Sequence, residues 1–73
     1  MSLGSLTKRE KETLKYLVLG FSNKEIAREL NISSHAIKIH VAKIIQKINA
    51  KNRTHAAYIV GSLKYSKNQL SID

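Results

Sequence analysis

Residues 22–47 read SNKEIARELNISSHAIKIHVAKIIQK, and the way this stretch divides decides the fold. Ser22, followed three residues later by Glu25, is a capping box: the hydroxyl accepts an orphan backbone N–H while the glutamate reaches back to the cap. Ile26, Ala27 and Leu30 then recur at helical spacing. Asn31 tolerates the left-handed conformation that ends a helix, and Ser33 can cap the next one. Two helices joined across Asn31, Ile32 and Ser33 predict a helix-turn-helix.

The second of these helices sorts into two faces. At about 100° per residue, Ile37, Val41, Ile44 and Ile48 fall on one stripe, with Ile45 at its edge. The opposite side carries His35, Lys38, Ile39, Ala42, Lys43 and Gln46; it holds no acid, and the apolar stripe does not account for Ile39. Such a face suits the major groove of DNA, where lysine reaches guanine O6 and N7 or a phosphate and an aliphatic group touches a thymine methyl. An ordinary amphipathic helix with solvated lysines shows the same pattern, so this helix alone does not choose between the two.

The distribution of charge tips the balance. The chain has 73 residues and a net charge of +8, and its glutamates (Glu10, Glu12, Glu25 and Glu29) all precede residue 30. Between Leu30 and Ile72 stand seven Lys or Arg and no acid. A solubilising surface mixes signs, whereas a one-signed half is the footprint of a polyanion partner. A membrane surface is the competing polyanion, but the apolar stripes here are narrow and shared among several helices, as a bundle requires.

The same totals exclude other classes. A chain this short makes one domain with a thin core. It has no cysteine, which removes a disulfide framework and a thiolate metal site. No apolar run approaches a membrane span and no signal peptide is visible, so a cytoplasmic location is expected. His35, His40 and His55 show no metal-ligand pattern with carboxylates, and there is no glycine-rich phosphate loop. Neither enzymatic chemistry nor a metal or other cofactor is expected.

Outward from residues 22–47, the chain reads as support. Residues 1–5 (MSLGS) have no periodicity and are expected to be disordered or a vector-derived remnant. Thr7 with Glu10 forms a second capping box, Leu6 before it can pack back as a staple, and Leu14, Leu17, Val18 and Phe21 form a buried stripe that Gly20 terminates. Asn49 is placed to end the long helix and Asn52 to cap a fourth, whose inner stripe is Ala56, Ile59, Val60 and Leu63. Its outer side holds Thr54, Ala57, Tyr58, Gly61 and Tyr65. Tyrosines around small residues supply contact area with close backbone approach, so this face is a candidate dimer surface. The expected architecture is all-α: a four-helix bundle with helices at about 7–19, 23–30, 34–48 and 53–64. The domain spans residues 6–65, and a frayed tail spans residues 66–73.

With these residues in place, the chain resembles the LuxR-type (LuxR/FixJ/NarL/GerE) DNA-binding domain. The resemblance rests on Leu6-Thr7 with Arg9-Glu10, on Gly20-Phe21-Ser22-Asn23-Lys24-Glu25-Ile26-Ala27 and on Leu30-Asn31-Ile32-Ser33. It continues through Ile37-Lys38-Ile39-His40, Ile44, Lys47-Ile48, Asn52-Arg53 and Ala56-Ala57. It implies a third helix in the major groove and homodimers, assembled on DNA through the fourth helix at paired half-sites. Lys38 and Ile39 then look like the base-reading pair, with His35 and Ala42 beside them. Ser22, Asn23, Lys24, Ser33, Ser34, Lys43, Lys47 and Arg53 occupy positions suited to phosphate. Arg53 could instead bind a neighbouring carbonyl or Glu25, and His40, bordering the buried stripe, is expected to make a structural hydrogen bond.

The chain departs from the family pattern at three places. Lys8 stands where proline is usual, Ala36 where threonine is usual, and Ala42 where a polar or basic residue is common. The second removes a hydroxyl at the start of the third helix, and the third implies sparser base readout. The functional reading is the double-stranded-DNA-binding output domain of a bacterial transcriptional regulator, with an upstream receiver or sensing domain and RNA polymerase as further partners. The alternatives are a helical protein-interaction module for an acidic partner, or the promoter-binding region of a sigma factor. The sigma-factor region shares the Leu-Thr-x-Arg-Glu opening, but its third helix is typically rich in arginine and acids, which residues 35–40 lack.

Overall fold

The computed structural model describes the backbone of residues 5–72 and the side chains of residues 5–62. The helices are α1 (Lys8–Val18), α2 (Asn23–Leu30), α3 (Ser34–Lys47) and α4 (Arg53–Ile72), with no strand among the described residues. α3 packs against all three other helices, and α1 does the same; α2 and α4 scarcely meet.

Local chemistry sets the helix starts. Thr7 and Ser22 form reciprocal capping boxes: Thr7 Oγ1 accepts from Glu10 N–H at 3.1 Å and Glu10 Oε1 accepts from Thr7 N–H at 2.9 Å. The Ser22–Glu25 pair repeats this at 3.2 and 2.8 Å. The cap of α3 is one-sided. Ser33 Oγ accepts from Ala36 N–H at 3.0 Å, and the third helical position, Ala36, has no carboxylate to return the bond. Asn52 caps α4 through its Oδ1, which accepts from His55 N–H at 2.9 Å.

The helix ends share one device. Gly20, Asn31 and Asn49 have φ of 88°, 57° and 58°, the left-handed region. In each case the next residue's N–H reaches back five positions: Phe21 to the Tyr16 carbonyl at 3.1 Å, Ile32 to Ala27 at 3.0 Å, and Ala50 to Ile45 at 2.9 Å. Phe21, Ile32 and Ala50 then fold onto the core. This is the Schellman closure with its hydrophobic contact, and it keeps every connection short. Glycine and asparagine enter this region at little cost, whereas a larger L-residue there costs about 1–2 kcal/mol.

The core is aliphatic. Ile26, Ile37, Ile44 and Ile48 are completely enclosed, joined by Leu6, Leu14, Leu17, Ala27, Val41 and Ala56. The stripe expected on α3 is therefore the buried one, with Ile45 at its margin. α4 is longer than expected: it runs through Gly61 to Ile72 instead of ending at about residue 64. No proline or glycine follows Gly61 to stop it. Leu63, assigned to its inner stripe, lies outside the described side chains.

One charged group sits in this core, and the sequence reading treats it only as a cap. Glu10 is 2% exposed, and the same Oε1 that serves Thr7 accepts from Lys47 Nζ at 2.8 Å; Lys47 also donates to the Ser5 carbonyl at 3.3 Å. The bridge ties the first turn of α1 to the last turn of α3. Burial pushes the Glu10 carboxyl up, but the hydrogen bonds from Lys47 and Thr7 N–H and the charges of Lys47 and Lys43 outweigh it and hold the group below its ordinary value. Thr13, also enclosed, satisfies its hydroxyl on the Arg9 carbonyl at 2.9 Å.

Lys47→Met should leave a buried carboxylate without its partner and cost about 2 kcal/mol, reduced from the fully buried case because the lysine keeps some exposure. Because the folded-state value of Glu10 is depressed, its contribution is present above the unfolded value near 4.5 and lost as the pH falls through the folded value. Thermal melts across acidic pH should therefore show a steeper fall for the wild type than for Glu10→Gln, which should be less stable at neutral pH. Asn31→Val, with a β-branched residue forced into the left-handed turn, should lower urea-denaturation stability by about 1–2 kcal/mol without changing helix content.

Candidate nucleic-acid interface

Burying Ile37, Val41, Ile44 and Ile48 fixes the rotation of α3, so its other face is left outside. His35, Lys38, Ile39 and Ala42 are all exposed and fall at spacings of three and four residues along one line, with Gln46 continuing it. Ile39 is 44% exposed, a large aliphatic group held outward on a face with no acid. These are the four residues read as base-contacting, and the fold gathers them on one surface. His40 is half-buried at the margin, and its ring makes no hydrogen bond to any of the described residues.

The residues read as phosphate-contacting divide into two groups. Lys24, Ser34 and Lys43 are exposed with side chains turned to solvent; Ser22 and Ser33 are exposed too, but their hydroxyls serve as caps. At the start of α2 the capping box uses the N–H groups of Ser22 and Glu25, and Ile26 N–H bonds the Ser22 carbonyl. The N–H groups of Asn23 and Lys24 keep no acceptor among the described residues, which is the arrangement that favours an anion at a helix N-terminus. Glu25 is held in the cap as an anion: hydrogen bonds from Ser22 fix its carboxylate there and keep its ionisation below the ordinary value, with Arg28 adding to the effect.

Lys47 and Arg53 have other partners. Lys47 Nζ sits on the buried carboxylate of Glu10, a partner 37 positions away in sequence that no local pattern announces. Arg53, the first residue of α4, donates to Asn23 Oδ1 and to the Phe21 carbonyl. Of the two structural options left open for it, the carbonyl is used and Glu25 is not. His55 is a residue that sequence reasoning missed. Its Nδ1 accepts from Lys51 N–H at 2.9 Å, one residue before the Asn52 cap, whereas the glutamates at α1 and α2 accept from the cap's own N–H. The signal was its place three residues after the Asn52 cap.

On α4, Thr54 and Tyr58 point outward, and Tyr58 is 70% exposed. Ala57 and Gly61 are half-buried, and a Cβ at Gly61 would stand 3.6 Å from Val18 Cγ1, an ordinary contact, so Gly61 lies beside α1 and is not wholly part of an outer face. The Tyr65 side chain lies outside the described residues. A hollow of about 530 Å³ lies between α1 and α4 and is lined by leucines and valines together with Lys11 and Lys15. Among the described residues no group of His, Cys, Asp or Glu could hold a metal ion, and no helix is long and apolar enough to cross a membrane.

A four-helix domain whose helix-turn-helix presents an acid-free second helix has the form of a DNA-binding unit of transcriptional regulators. Comparison with known proteins agrees: residues 4–60 match the family described as bacterial regulatory proteins, luxR family. The chain belongs to this family, one of DNA-binding regulators and not of enzymes. It is 53% identical over 51 residues to the CsgBAC operon transcriptional regulatory protein of Escherichia coli, covering 70% of the chain and 24% of that protein. It is 41% identical over 54 residues to the nitrate/nitrite response regulator protein NarP of Escherichia coli, covering 74% and 25%. It is 43% identical over 63 residues to the uncharacterized transcriptional regulatory protein YhcZ of Bacillus subtilis, covering 86% and 28%. The chain thus spans about a quarter of the length of the curated relatives it matches.

The division among the cations has a direct consequence. Lys24→Ala should reduce the slope of log K against log salt by about 0.9 for any duplex, whereas Lys47→Ala should leave the slope unchanged and lower the melting temperature. Fluorescence titrations at several salt concentrations, with thermal melts alongside, measure both.

Proposed function

We propose that this chain is the sequence-specific output domain of a bacterial transcriptional regulator, placing α3 in the major groove and pairing with a second copy through α4. The observation that carries this is the outward face of α3: Lys38 and Ile39 stand side by side in solvent while the opposite stripe is fully enclosed. Lysine supplies donors to guanine or phosphate, and isoleucine an apolar contact for a thymine methyl. The start of α2, with Lys24 and two free backbone N–H groups, then holds the flanking phosphate, with Ser34 and Lys43 as further backbone contacts. Lys47 and Arg53 leave the phosphate set and join the scaffold. Thr54 and Tyr58 are the outward part of the dimer face, to which Ala57, Gly61 and Tyr65 contribute the rest of the surface read from sequence.

With roughly four to six phosphates per subunit, one domain binds weakly and loses affinity steeply with salt. A DNA-assisted homodimer on two half-sites multiplies these weak contacts. The full-length protein is read as cytoplasmic, with an upstream receiver or sensing domain and contact with RNA polymerase. The similarity to a response regulator and the short span of the relatives covered support that reading.

Selection of bound duplexes from a random library at moderate salt, for the wild type, Lys38→Ala and Ile39→Ala, tests the proposal. The expected result is a paired motif that degrades in both variants, each costing about 1–3 kcal/mol of discrimination at its own base position. Binding without an enriched motif would leave a nonspecific polyanion binder, and no binding to any duplex would point to the protein-interaction module.

A further inference from the structure

We propose that Arg53 is a positioning residue for DNA binding: its guanidinium holds the Asn23 carboxamide with its NH₂ group available to a backbone phosphate at the start of α2. The inference rests on the reading of that helix start as a phosphate contact, and it adds a residue that touches no DNA.

A guanidinium has only donors, so the Asn23 atom facing Arg53 must be the carbonyl oxygen, and the amide orientation is settled by chemistry. The carboxamide nitrogen, with two donors, is then the end left over, and it has no acceptor among the described residues. Asn23 is the first residue of α2, where its own N–H and that of Lys24 also lack intrahelical partners. A side-chain amide and two backbone N–H groups thus lie at one helix end, with the exposed Lys24 in the same turn, which suits an oxygen anion such as phosphate.

Arg53 is well placed for this work. Its second bond, to the Phe21 carbonyl, anchors the planar group so that it cannot swing with Asn23. α2 and α4 scarcely pack against each other, so this side chain is the bridge between them. The bridge starts at the first residue of the helix proposed to pair with a second copy. Lysine keeps the charge but offers no fork, so it would hold one of the two acceptors and not both.

The test uses the 73-residue chain and the most enriched duplex from the selection above, with single phosphates replaced in turn by neutral methylphosphonates. In the wild type, one replacement in each half-site should lower affinity about tenfold, the cost of a lost hydrogen bond to a charged group. Asn23→Ala and Arg53→Lys should bind more weakly and show a clearly smaller penalty at that one phosphate, where the backbone N–H groups and Lys24 remain, while the penalties at all others persist. Asn23→Asp, which keeps an acceptor for Arg53 and so keeps the bridge, should melt like the wild type yet show the same reduced penalty at that phosphate. Arg53→Lys retaining the wild-type penalty there, at an unchanged melting temperature, would overturn the proposal. If Arg53→Lys does not fold, a retained penalty in Asn23→Asp would overturn it equally. A wild type insensitive to every replacement would instead sink the DNA-binding reading on which the inference stands.

Discussion

A single helix of 14 residues has to fill the core with one face and leave the other free, and the remaining structure follows from that constraint. α3 touches every other helix, and Ile37, Ile44 and Ile48 are enclosed by them. Because these side chains recur every three or four positions, enclosing them leaves the helix no rotational freedom. The exposed line of His35, Lys38, Ile39 and Ala42 is therefore a consequence of packing, and a small domain with a thin core presents it rigidly.

Holding such a helix at a defined tilt takes more than a greasy contact, because aliphatic surfaces slide. Two polar bridges supply direction. Lys47 ties the end of α3 to the first turn of α1 through the buried carboxylate of Glu10, where a lost partner would leave a charge in the core. Arg53 ties the first residue of α4 to the start of α2 and to the Phe21 carbonyl. Both are cations from the acid-free half of the chain, and both are committed within the fold. The one-signed half thus does two jobs: part of it faces outward as an electrostatic surface, and part of it is the framework that aims that surface.

The three connections show why so short a chain can manage this. Gly20, Asn31 and Asn49 each turn the backbone through the left-handed region, and each is followed by a residue that returns to the core. The turns are closed by hydrogen bonds of their own and so place the helices without long loops. In the helix-turn-helix this matters most, since Asn31, Ile32 and Ser33 alone separate α2 from α3.

What the sequence determined by itself was everything set by neighbours within about one turn of helix. The caps at Thr7, Ser22 and Ser33, the left-handed stops at Gly20, Asn31 and Asn49, and the apolar stripe of α3 depend on spacings of three to five residues, which a linear reading sees directly. The outward grouping of Lys38 and Ile39 follows from that stripe and was legible with it. Only the tertiary structure decided which cations are available. Lys47 and Glu10 lie 37 positions apart, and Arg53 and Asn23 lie 30 apart. A lysine on a solvated face and one on a buried carboxylate have the same letter and similar helical surroundings. The small residues of α4 were ambiguous for the same reason: whether Gly61 faces a second copy or the chain's own Val18 depends on where α1 lies. Hydrogen-bond partners across the bundle are chosen by packing, and packing is a property of all four helices at once.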